Sequence, residues 1–529
     1  MSIARSGGWK RKVTGALVGG GMLLGLPLIS SAQSSVPSYV ISTFAGTGAN
    51  DATEFAGDDG PATSAQLNNP YSIAIDSAGV VYIADQVHHR IRKVSTSGII
   101  TTIAGTGTAS WTGDDAVATS GTLNAPCGLL VDSTGDIYIA DTLNHVIRKI
   151  TASTGKISTF AGNNTAGFSG DGDGIDTGTA TVTDTDPKAT SAELNRPTAL
   201  ARDSAGNLYV ADTYNSRIRK ILASNSTINT VVGDGAQRRF GDGGLATEAS
   251  VFNPQGINFD AAGNLFIADT NNHVIRKATP RGDGTFNIQT VAGNGVYGYT
   301  GDEVKATDAS LFYPKWVAVD AAGNLFIADA FNMRIRMVTT DGIIHTIAGN
   351  GFYGLSGDGG AAIDASLRFP SSVTIGSGGK IYVTDNQNHR VALLTPVVDL
   401  GLSAPTSLNL GGKQYVNATL EDNQTLVLPT DALAGTTSRP ARIGETITMY
   451  ANGLGDTDEQ INDTLGRIQI YFGHMPAEIS YAGEAGDGSG AKRLNVVVPN
   501  IEDNDAIPVM LMKDGTVAQK AIYTAVRSN

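Results

Sequence analysis

The sequence has one cysteine and little charge, and each scarcity excludes a class of protein. Among 529 residues Cys127 is the only cysteine, so no internal disulfide can form and the fold depends on core packing. Only 16% of the residues are charged while 65 are glycine, which is typical of a chain with many tight turns and little exposed helix. After residue 30, no apolar run is long enough to span a bilayer.

The N-terminal segment has the features of a bacterial secretory signal peptide. Four basic residues between positions 5 and 12 precede an apolar stretch over residues 13–29, and small residues follow at 30–32. We therefore predict a signal peptide at 1–32 and export to the periplasm, the cell surface or the extracellular space, with a membrane anchor as the alternative. Removing residues 1–32 changes the formal charge from −13 to −17, which disfavours nucleic acid and anionic lipid as partners.

One motif recurs six times. It consists of an apolar strand ending in Asp, a polar turn, and a second strand that carries basic residues in most copies. The copies span residues 81–94, 137–150, 208–221, 265–278, 325–338 and 381–394. Their aspartates, 56 to 71 residues apart, are Asp85, Asp141, Asp212, Asp269, Asp329 and Asp385. Such a period indicates a repeat architecture.

Each copy lies in a unit of four short strands. A proline opens the first strand, an Ala-Ala-Gly-Asn type of turn leads to the second, the polar turn leads to the third, and a strand such as TVAGNG closes the unit. Six such antiparallel meanders around an axis make a six-bladed β-propeller, here over residues 38–396. The sixth unit lacks a closing strand, so we predict that an N-terminal strand at 41–48 completes it.

The copies resemble NHL repeats, a family named for an Asn-His-Leu string. Asn144-His145, Asn272-His273 and Asn388-His389 keep the first two residues of that string. The resemblance covers about residues 40–396 and implies a six-bladed propeller. It implies no single activity, because similar propellers bind proteins or RNA and a few related ones are enzymes.

The C-terminal part has another pattern. Alternating strands near residues 444–455, 468–483, 494–500 and 507–515 are separated by Gly and Asp turns, which is typical of a β-sandwich. The segment 438–529 resembles the immunoglobulin-like (TIG-like) module of exported acidobacterial proteins, and residues 397–437 are expected to be a linker or a lead-in to it. The predicted fold class is all-β, with a six-bladed β-propeller followed by a smaller immunoglobulin-like β-sandwich.

The repeated polar residues are interpreted as structural, because a catalytic role would require six active sites. We expect each aspartate to accept backbone N–H groups of its own turn, and the asparagine that follows to take the left-handed conformation. The histidines at one repeat position, His89, His145, His273 and His389, should lie in separate blades and too far apart to share a metal ion. The strand arginines are expected to pair with carboxylates on neighbouring strands; they are Arg92, Arg148, Arg219, Arg276 and Arg336.

One interblade loop departs from the repeat. The insert within residues 163–190 carries Asp171, Asp173 and Asp176, whose oxygens suggest calcium. However, Ile175 and Val182 occupy positions where an EF-hand loop needs an oxygen ligand and a glutamate. A solvated acidic loop is therefore favoured, and no cofactor is predicted.

A lactonase-like hydrolase or a lyase with a metal ion at the propeller axis is the alternative function. Some propellers that resemble lactonases hold such an ion with carboxylates and Asn from the innermost strands. Here the runs after the opening prolines contain no acid, and only Arg202, Asn258 and Lys315 stand out. Because a metal ion needs several converging ligands, the sequence favours a binding protein over an enzyme.

The predicted function is a secreted, non-catalytic scaffold that presents one propeller face to a protein, a glycan or a small ligand. The polar turns and the long interblade loops should share that face. The candidate binding residues break the repeat and are aromatic or arginine, as binding anchors often are. They are Tyr214, Phe331, Arg238, Arg239, Tyr297, Phe352 and Tyr353. A structural cell-surface spacer without a soluble ligand is the third possibility.

Overall fold

The computed structural model describes residues 36–48, 55–171 and 188–397, and then the strands with a few neighbouring residues between 409 and 527. These residues form strands joined by turns and by three-residue 3-10 helices, so this part of the chain is all-β. None of its helices is long and apolar enough to cross a membrane. The predicted signal peptide and most of the acidic insert, Asp173 and Asp176 included, lie outside the described residues.

Residues 39–396 form six antiparallel sheets of four or five strands. The N-terminal strand is β1 (Tyr39–Ala45). The first sheet contains β2 (Gly60–Pro61), β3 (Pro70–Ile75), β4 (Val81–Asp85), β5 (Arg90–Val94) and β6 (Ile99–Ala104). The second contains β7 (Pro126–Val131), β8 (Ile137–Asp141), β9 (Val146–Thr151) and β10 (Lys156–Ala161). The third contains β11 (Pro197–Arg202), β12 (Leu208–Asp212), β13 (Arg217–Ile221) and β14 (Ile228–Val232).

The other three sheets follow the same pattern. The fourth contains β15 (Pro254–Phe259), β16 (Leu265–Asp269), β17 (Val274–Pro280) and β18 (Phe286–Ala292). The fifth contains β19 (Val304–Lys305), β20 (Pro314–Val319), β21 (Leu325–Asp329), β22 (Arg334–Val338) and β23 (Ile343–Ala348). The sixth contains β24 (Pro370–Ile375), β25 (Ile381–Asp385), β26 (Arg390–Pro396) and β1.

Short 3-10 helices occur in three kinds of connection. In five sheets a 3-10 helix directly follows the strand that ends in the repeated aspartate. These helices are Thr142–Asn144, Thr213–Asn215, Thr270–Asn272, Ala330–Asn332 and Asn386–Asn388. The others lie at Ala62–Ser64, Ala118–Ser120, Ala189–Ser191, Ala362–Asp364 and Ser377–Gly379. The first kind is the polar turn that recurs in the sequence.

The six sheets form a closed ring. The strand that follows each opening proline contacts the equivalent strand of the next sheet, from β3 through β7, β11, β15, β20 and β24 and back to β3. The strands that follow are packed on both sides, and β16 is buried along its whole length. β1 pairs with β26 in the sixth sheet, where Ile41 faces Leu394. The N-terminal strand thus supplies the fourth strand of the last sheet.

A buried arginine between two carboxylates fastens each sheet to its interblade loop. In the fourth sheet, Arg276 lies 3.3 Å from buried Asp269 and 2.8 Å from Asp242 of the loop. We call this trio the Asp–Arg–Asp clamp. Its equivalents are Asp85–Arg92–Asp58, Asp141–Arg148–Asp114, Asp212–Arg219–Asp171, Asp329–Arg336–Asp302 and Asp385–Arg390–Asp358. The predicted pairing of the strand arginines is confirmed, and Arg390 is a sixth member that the sequence analysis missed.

In two interblade loops an aromatic ring lies over the clamp arginine. The guanidinium carbon of Arg219 lies 5.0 Å from the ring centroid of Phe168, and that of Arg336 lies 4.9 Å from the ring centroid of Tyr299. A second arginine lies closer to each ring, Arg217 at 3.8 Å and Arg334 at 4.0 Å. A ring in this position attracts the cation and shields it from water. In both loops the ring therefore packs against the blade.

The donors to the clamp aspartate differ from the expectation. Oδ1 of Asp269 accepts the backbone N–H of Phe252, 17 residues earlier, at 2.7 Å, and Oδ2 accepts the side-chain amide of Asn272 at 2.9 Å. The expected bonds from the backbone of its own turn are wrong, because the aspartate reaches across to the preceding loop. The left-handed residue is His273 (φ 57°), not the asparagine, which lies inside the 3-10 helix.

The repeated histidines join neighbouring sheets. Nδ1 of His145 accepts the backbone N–H of Arg196 at 3.1 Å, and His89 and His273 accept Ala125 and Tyr313 in the same way, at 2.9 and 3.2 Å. At the equivalent position Sδ of Met333 accepts the N–H of Phe369 at 3.3 Å. An Nδ1 that accepts requires a neutral ring with its proton on Nε2. Each of these histidines therefore connects its own sheet to the next one through a hydrogen bond. We call this repeat position the latch position.

This geometry predicts a pH-dependent contribution to stability. Burial, with the charge of Arg196, holds the pKa of His145 below 6.5, because both disfavour the imidazolium. The contribution is therefore present above about pH 6.5 and is lost as the pH falls through the lowered pKa of the folded state. His145→Met, which copies Met333, should lose less stability than the parent between pH 7.5 and pH 5, by about 1 kcal/mol or less. Urea midpoints across this pH range measure the difference.

The control for this measurement is His345→Met on β23. His345 lies outside the latch position, so this variant should keep the pH slope of the parent. Equal slopes for His145→Met and the parent would contradict the assignment of a neutral latch.

The C-terminal described residues also form strands. These are β27 (Asn409–Leu410), β28 (Lys413–Gln414), β29 (Ala418–Leu420), β30 (Leu426–Val427), β31 (Ser438–Arg439), β32 (Ala441–Arg442), β33 (Thr446–Ala451), β34 (Ile468–Phe472), β35 (Met475–Glu484), β36 (Lys492–Val497), β37 (Asn504–Lys513), β38 (Thr516–Val517) and β39 (Ile522–Arg527). Strands occur in all four predicted runs. β29 pairs with β33, so part of the segment 397–437 belongs to the same sheet as later strands.

Candidate functional site

The polar turns and the interblade loops lie on one face of the ring. The second residue of each turn donates its backbone N–H to a carbonyl in the loop before the first strand. Examples are Tyr214 to Asn195 at 3.0 Å and Phe331 to Phe312 at 3.0 Å. The repeat therefore holds the variable turn residues and the variable loop residues side by side.

Aromatic rings form a continuous strip across the fourth, fifth and sixth sheets on this face. Tyr297 contacts Phe312 at 5.4 Å between ring centroids, and Phe312 contacts Tyr313 at 5.4 Å and Phe331 at 5.2 Å. Phe331 contacts Phe369 at 4.7 Å, and Phe369 contacts Tyr353 at 5.4 Å. We call Tyr297, Phe312, Tyr313, Phe331, Tyr353 and Phe369 the aromatic surface.

Two of these rings belong to the residue that directly precedes an opening proline, a repeat position at which other sheets have non-aromatic side chains. Tyr313 (φ 47°) and Phe369 (φ 50°) directly precede an opening proline and have left-handed backbones. The same position and conformation are taken by Asn69, Ala125, Arg196 and Asn253 in the other sheets. Since such different side chains fit there, aromatic residues are a local choice of the fifth and sixth sheets.

The edges of the aromatic surface are open to solvent. Tyr297 is 67% exposed, Tyr353 is 63% exposed and Phe331 is 38% exposed, whereas Phe312, Tyr313 and Phe369 are half-buried beneath them. Phe352 beside Tyr353 is 73% exposed. These rings do not pack under their own loops, so the surface is available to a ligand.

The remaining predicted residues lie apart from the ring contacts. Tyr214 packs against Arg196, whose guanidinium carbon lies 4.8 Å from the ring centroid. Arg238 lies 3.7 Å from Asp234 of its own loop, and Arg239 donates to the carbonyl of Asn294 in the next interblade loop at 2.7 Å, so only Arg239 connects two loops. The structure thus brings together Tyr297, Phe331 and Tyr353 of the predicted set, and it adds Phe312, Tyr313 and Phe369.

The axis contains a cavity that opens on the opposite face. Its volume is about 670 Å³, and its exposed wall is more polar than apolar, although Trp316 and other apolar side chains are among the lining residues. Arg202 forms an ion pair with Asp132 at 2.6 Å among the turn residues at one end. Asn258 also lines the cavity, but Lys315 does not. In the described parts of the chain, no three His, Cys, Asp or Glu side chains are grouped so as to hold a metal ion.

Models of known families match the sheet region. A model described as the Teneurin NHL domain matches residues 33–112, 109–224 and 283–354, and one described as the NHL repeat matches residues 367–392.

Curated proteins with similar sequences come from plants and animals. The chain is 27% identical over 292 residues to Protein SUPPRESSOR OF QUENCHING 1, chloroplastic, of Arabidopsis thaliana, which covers 53% of this chain and 26% of that protein. It is 26% identical over 387 residues to human Teneurin-1, and this match covers 67% of this chain and 13% of that protein. It is also 26% identical over 341 residues to human NHL repeat-containing protein 2, and this match covers 59% of this chain and 44% of that protein. The chain therefore spans less than half the length of each of these relatives.

Two solved structures illustrate the structural similarity. An auxiliary nutrient binding protein from Bacteroides ovatus is 16% identical, with a TM-score of 0.49 over 68% of this chain and 77% of that chain. A gluconolactonase from Xanthomonas campestris is 12% identical, with a TM-score of 0.42 over 69% of this chain and 96% of that chain.

Proposed function

Because this chain carries NHL repeats, we propose that it is an exported, non-catalytic binding scaffold whose six sheets are the blades of a six-bladed propeller. The C-terminal strands would form an immunoglobulin-like sandwich that serves as an accessory or attachment module. The propeller would present the face with the aromatic surface to a protein, a glycan or a small ligand. No resident cofactor is part of this proposal.

The aromatic surface carries the proposal. Six rings in mutual contact, with the outer ones 38–67% exposed, form an apolar area that water solvates poorly. Soluble proteins expose such areas mainly where they bind something. Because the fold tolerates Asn, Ala or Arg at the positions of Tyr313 and Phe369, packing within the blades does not account for the rings.

Among the three ligand classes, a glycan fits this surface best. The rings offer flat faces on which sugar rings can stack, and the exposed Tyr297 and Tyr353 add hydroxyl groups that can donate and accept hydrogen bonds. The two predicted arginines lie outside the aromatic surface, where Arg239 donates to the carbonyl of Asn294 and Arg238 pairs with the carboxylate of Asp234, so neither supplies a cation to the rings. A neutral or weakly charged polysaccharide is therefore the expected ligand.

The experiment is affinity electrophoresis of the purified chain in gels that contain a neutral β-glucan, a mannan or a xylan. At least one polysaccharide should retard the parent. The triple variant Tyr297→Ala/Phe331→Ala/Tyr353→Ala should bind at least about tenfold more weakly, because stacking rings contribute most of the binding energy at such surfaces. Its circular dichroism spectrum should match that of the parent.

The matched control is Phe240→Ala. Phe240 is 59% exposed but lies outside the aromatic surface, where it packs against Arg238 at 5.3 Å. This variant should be retarded as strongly as the parent. If the triple variant is retarded as strongly as the parent, the aromatic surface is not the binding site. If none of the three polysaccharides retards the parent, the ligand is not a glycan of these classes.

A further inference from the structure

A second group of side chains surrounds the axis where the first strands begin. Each of these residues directly follows an opening proline. They are Tyr71, Cys127, Thr198, Gln255, Lys315 and Ser371, and we call them the axial ring. The hydroxyl of Tyr71 in the first sheet donates to Oε1 of Gln255 in the fourth at 2.5 Å. Since these sheets stand opposite each other, side chains at this position reach across the axis.

Lys315 brings a positive charge into the axial ring without a carboxylate partner. Its Nζ lies 5.5 Å from the ring centroid of Tyr71, and no Asp or Glu in the described residues lies within ion-pair distance of it. Burial lowers the pKa of Lys315, and burial raises the pKa of Cys127 to about 11, so the thiol opposite is neutral. Lys315 is only partly exposed, so its ammonium is partly desolvated, and a cation in that setting without a counter-ion is destabilising.

The repeat is also broken on the opposite side of the axis from this charge. Thr142, Thr213 and Thr270 donate their hydroxyls to the carbonyl of the next opening proline, at 2.7 to 2.8 Å, and so lock neighbouring sheets together. At the equivalent position of the first sheet stands Gln86, whose Nε2 donates to Sγ of Cys127 at 3.0 Å. A carboxamide therefore replaces the structural hydroxyl on the side of the axis that faces Lys315.

Solvent reaches this level of the axis. Lys315 and Gln255 in adjacent sheets both keep partial exposure, while Tyr71 and Cys127 are buried. Because Oε1 of Gln255 accepts from Tyr71, its NH2 group is the part of the amide left for another partner. One cation and a neutral amide donor thus lie next to each other in a partly dehydrated setting.

We propose that the axial ring is a binding site for a small, singly charged carboxylate, with Lys315 as its anchor and Gln255 as a neutral donor. A single negative charge matches the single ammonium, whereas a doubly charged phosphate would leave one charge unpaired in a site that excludes most water. This site is separate from the aromatic surface and does not depend on the proposed glycan.

The experiment measures acetate binding to the full chain by isothermal titration calorimetry at pH 7.5, with sodium chloride and inorganic phosphate at equal ionic strength as competing probes. Acetate should bind saturably, and chloride and phosphate should bind more weakly. Lys315→Met and Lys315→Gln should each weaken acetate binding at least about tenfold, the effect of one charge-assisted hydrogen bond. Without acetate, Lys315→Met should unfold at a temperature no lower than the parent, because it removes an unpaired, partly desolvated charge.

The matched control is Arg202→Met, which removes the other cation on the innermost strands. Arg202 already pairs with Asp132, so this variant should bind acetate like the parent. The proposal is overturned if the parent shows no saturable acetate binding, if phosphate binds more tightly than acetate, or if the Arg202 and Lys315 variants weaken binding equally. Unaltered acetate binding by a destabilised Lys315→Met would show a structural lysine and would also overturn it.

Discussion

Replacing Asp269 by alanine is expected to lower the free energy of unfolding by about 3–5 kcal/mol, the usual cost of breaking a buried ion pair. Asp269 is fully buried and accepts the Phe252 amide, the Asn272 side chain and Arg276. Its removal leaves the fully buried guanidinium of Arg276 with the exposed carboxylate of Asp242 and two backbone carbonyls, and leaves a backbone N–H unsatisfied. The measurement is equilibrium unfolding in urea, followed by intrinsic tryptophan fluorescence, to which the buried Trp316 in the next sheet contributes.

The second carboxylate on the same arginine is the control. Asp242 lies closer to Arg276, at 2.8 Å against 3.3 Å for Asp269, but its side chain is 41% exposed. Water screens the exposed pair between Asp242 and Arg276. We therefore expect burial, and not distance, to decide how much free energy of unfolding each substitution removes, so Asp242→Ala should cost about 1 kcal/mol or less. Equal losses for the two variants would show that the buried aspartate is not the main element of the clamp.

The pH of this comparison matters. Burial raises the pKa of Asp269 to about 6, while Asn272, the Phe252 amide and Arg276 oppose the rise. At pH 7.5 the carboxylate is ionised, and the alanine variant then removes both its charge and its hydrogen bonds. Measured at pH 5, the same substitution should cost more, because a carboxyl whose pKa is raised by folding stabilises the folded state most when it is protonated and loses part of that contribution as the pH rises through about 6.

The sequence predicted the strands of the repeats because their signals are local. Apolar runs of five or six residues, bounded by Gly, Asn and Asp turns, are formed by neighbours in the chain. The clamp was only partly predictable. Arginines at one repeat position predicted ion pairs there. In the sixth sheet, however, Ala392 occupies that position, and Arg390, two residues earlier, forms the two ion pairs of the clamp. There Nε bonds Asp385 at 2.9 Å and Nη1 bonds Asp358 at 2.6 Å.

Contacts of a sheet with its interblade loop, and contacts between neighbouring sheets, could not be predicted from the sequence pattern. The donor to Asp269 comes from Phe252, and nothing local distinguishes this amide from those of the turn that follows the aspartate. The aromatic surface was recognised through Tyr297, Phe331 and Tyr353, which break the repeat. Phe369 was missed because it meets Phe331 only when the fifth and sixth sheets stand side by side. Which rings touch depends on the curvature of the ring of sheets.

Removing residues 1–48 is expected to destabilise the ring far more than removing residues 1–35. The longer truncation deletes β1, in which Tyr39 and Ile41 are buried, and it takes Thr43 away from Arg390 and Asp358. Burial of two such side chains alone contributes on the order of 3–6 kcal/mol. The longer truncation also exposes the N–H and C=O groups of β26 along an open edge of the sixth sheet, which favours aggregation. Thermal unfolding followed by circular dichroism should therefore give a clearly lower midpoint for the longer truncation.

A peptide of residues 36–48 tests whether this loss comes from the missing strand. β1 pairs in register from Tyr39 with Pro396 to Ala45 with Val391, and Ile41 also bonds the backbone of Gly359 and Gly360. Added to the longer truncation, the peptide should restore the midpoint, as strand addition to an open edge does. A peptide with Ile41→Asp should not restore it, because a charge would enter the core. If the two truncations unfold at one temperature, the ring does not need its N-terminal strand.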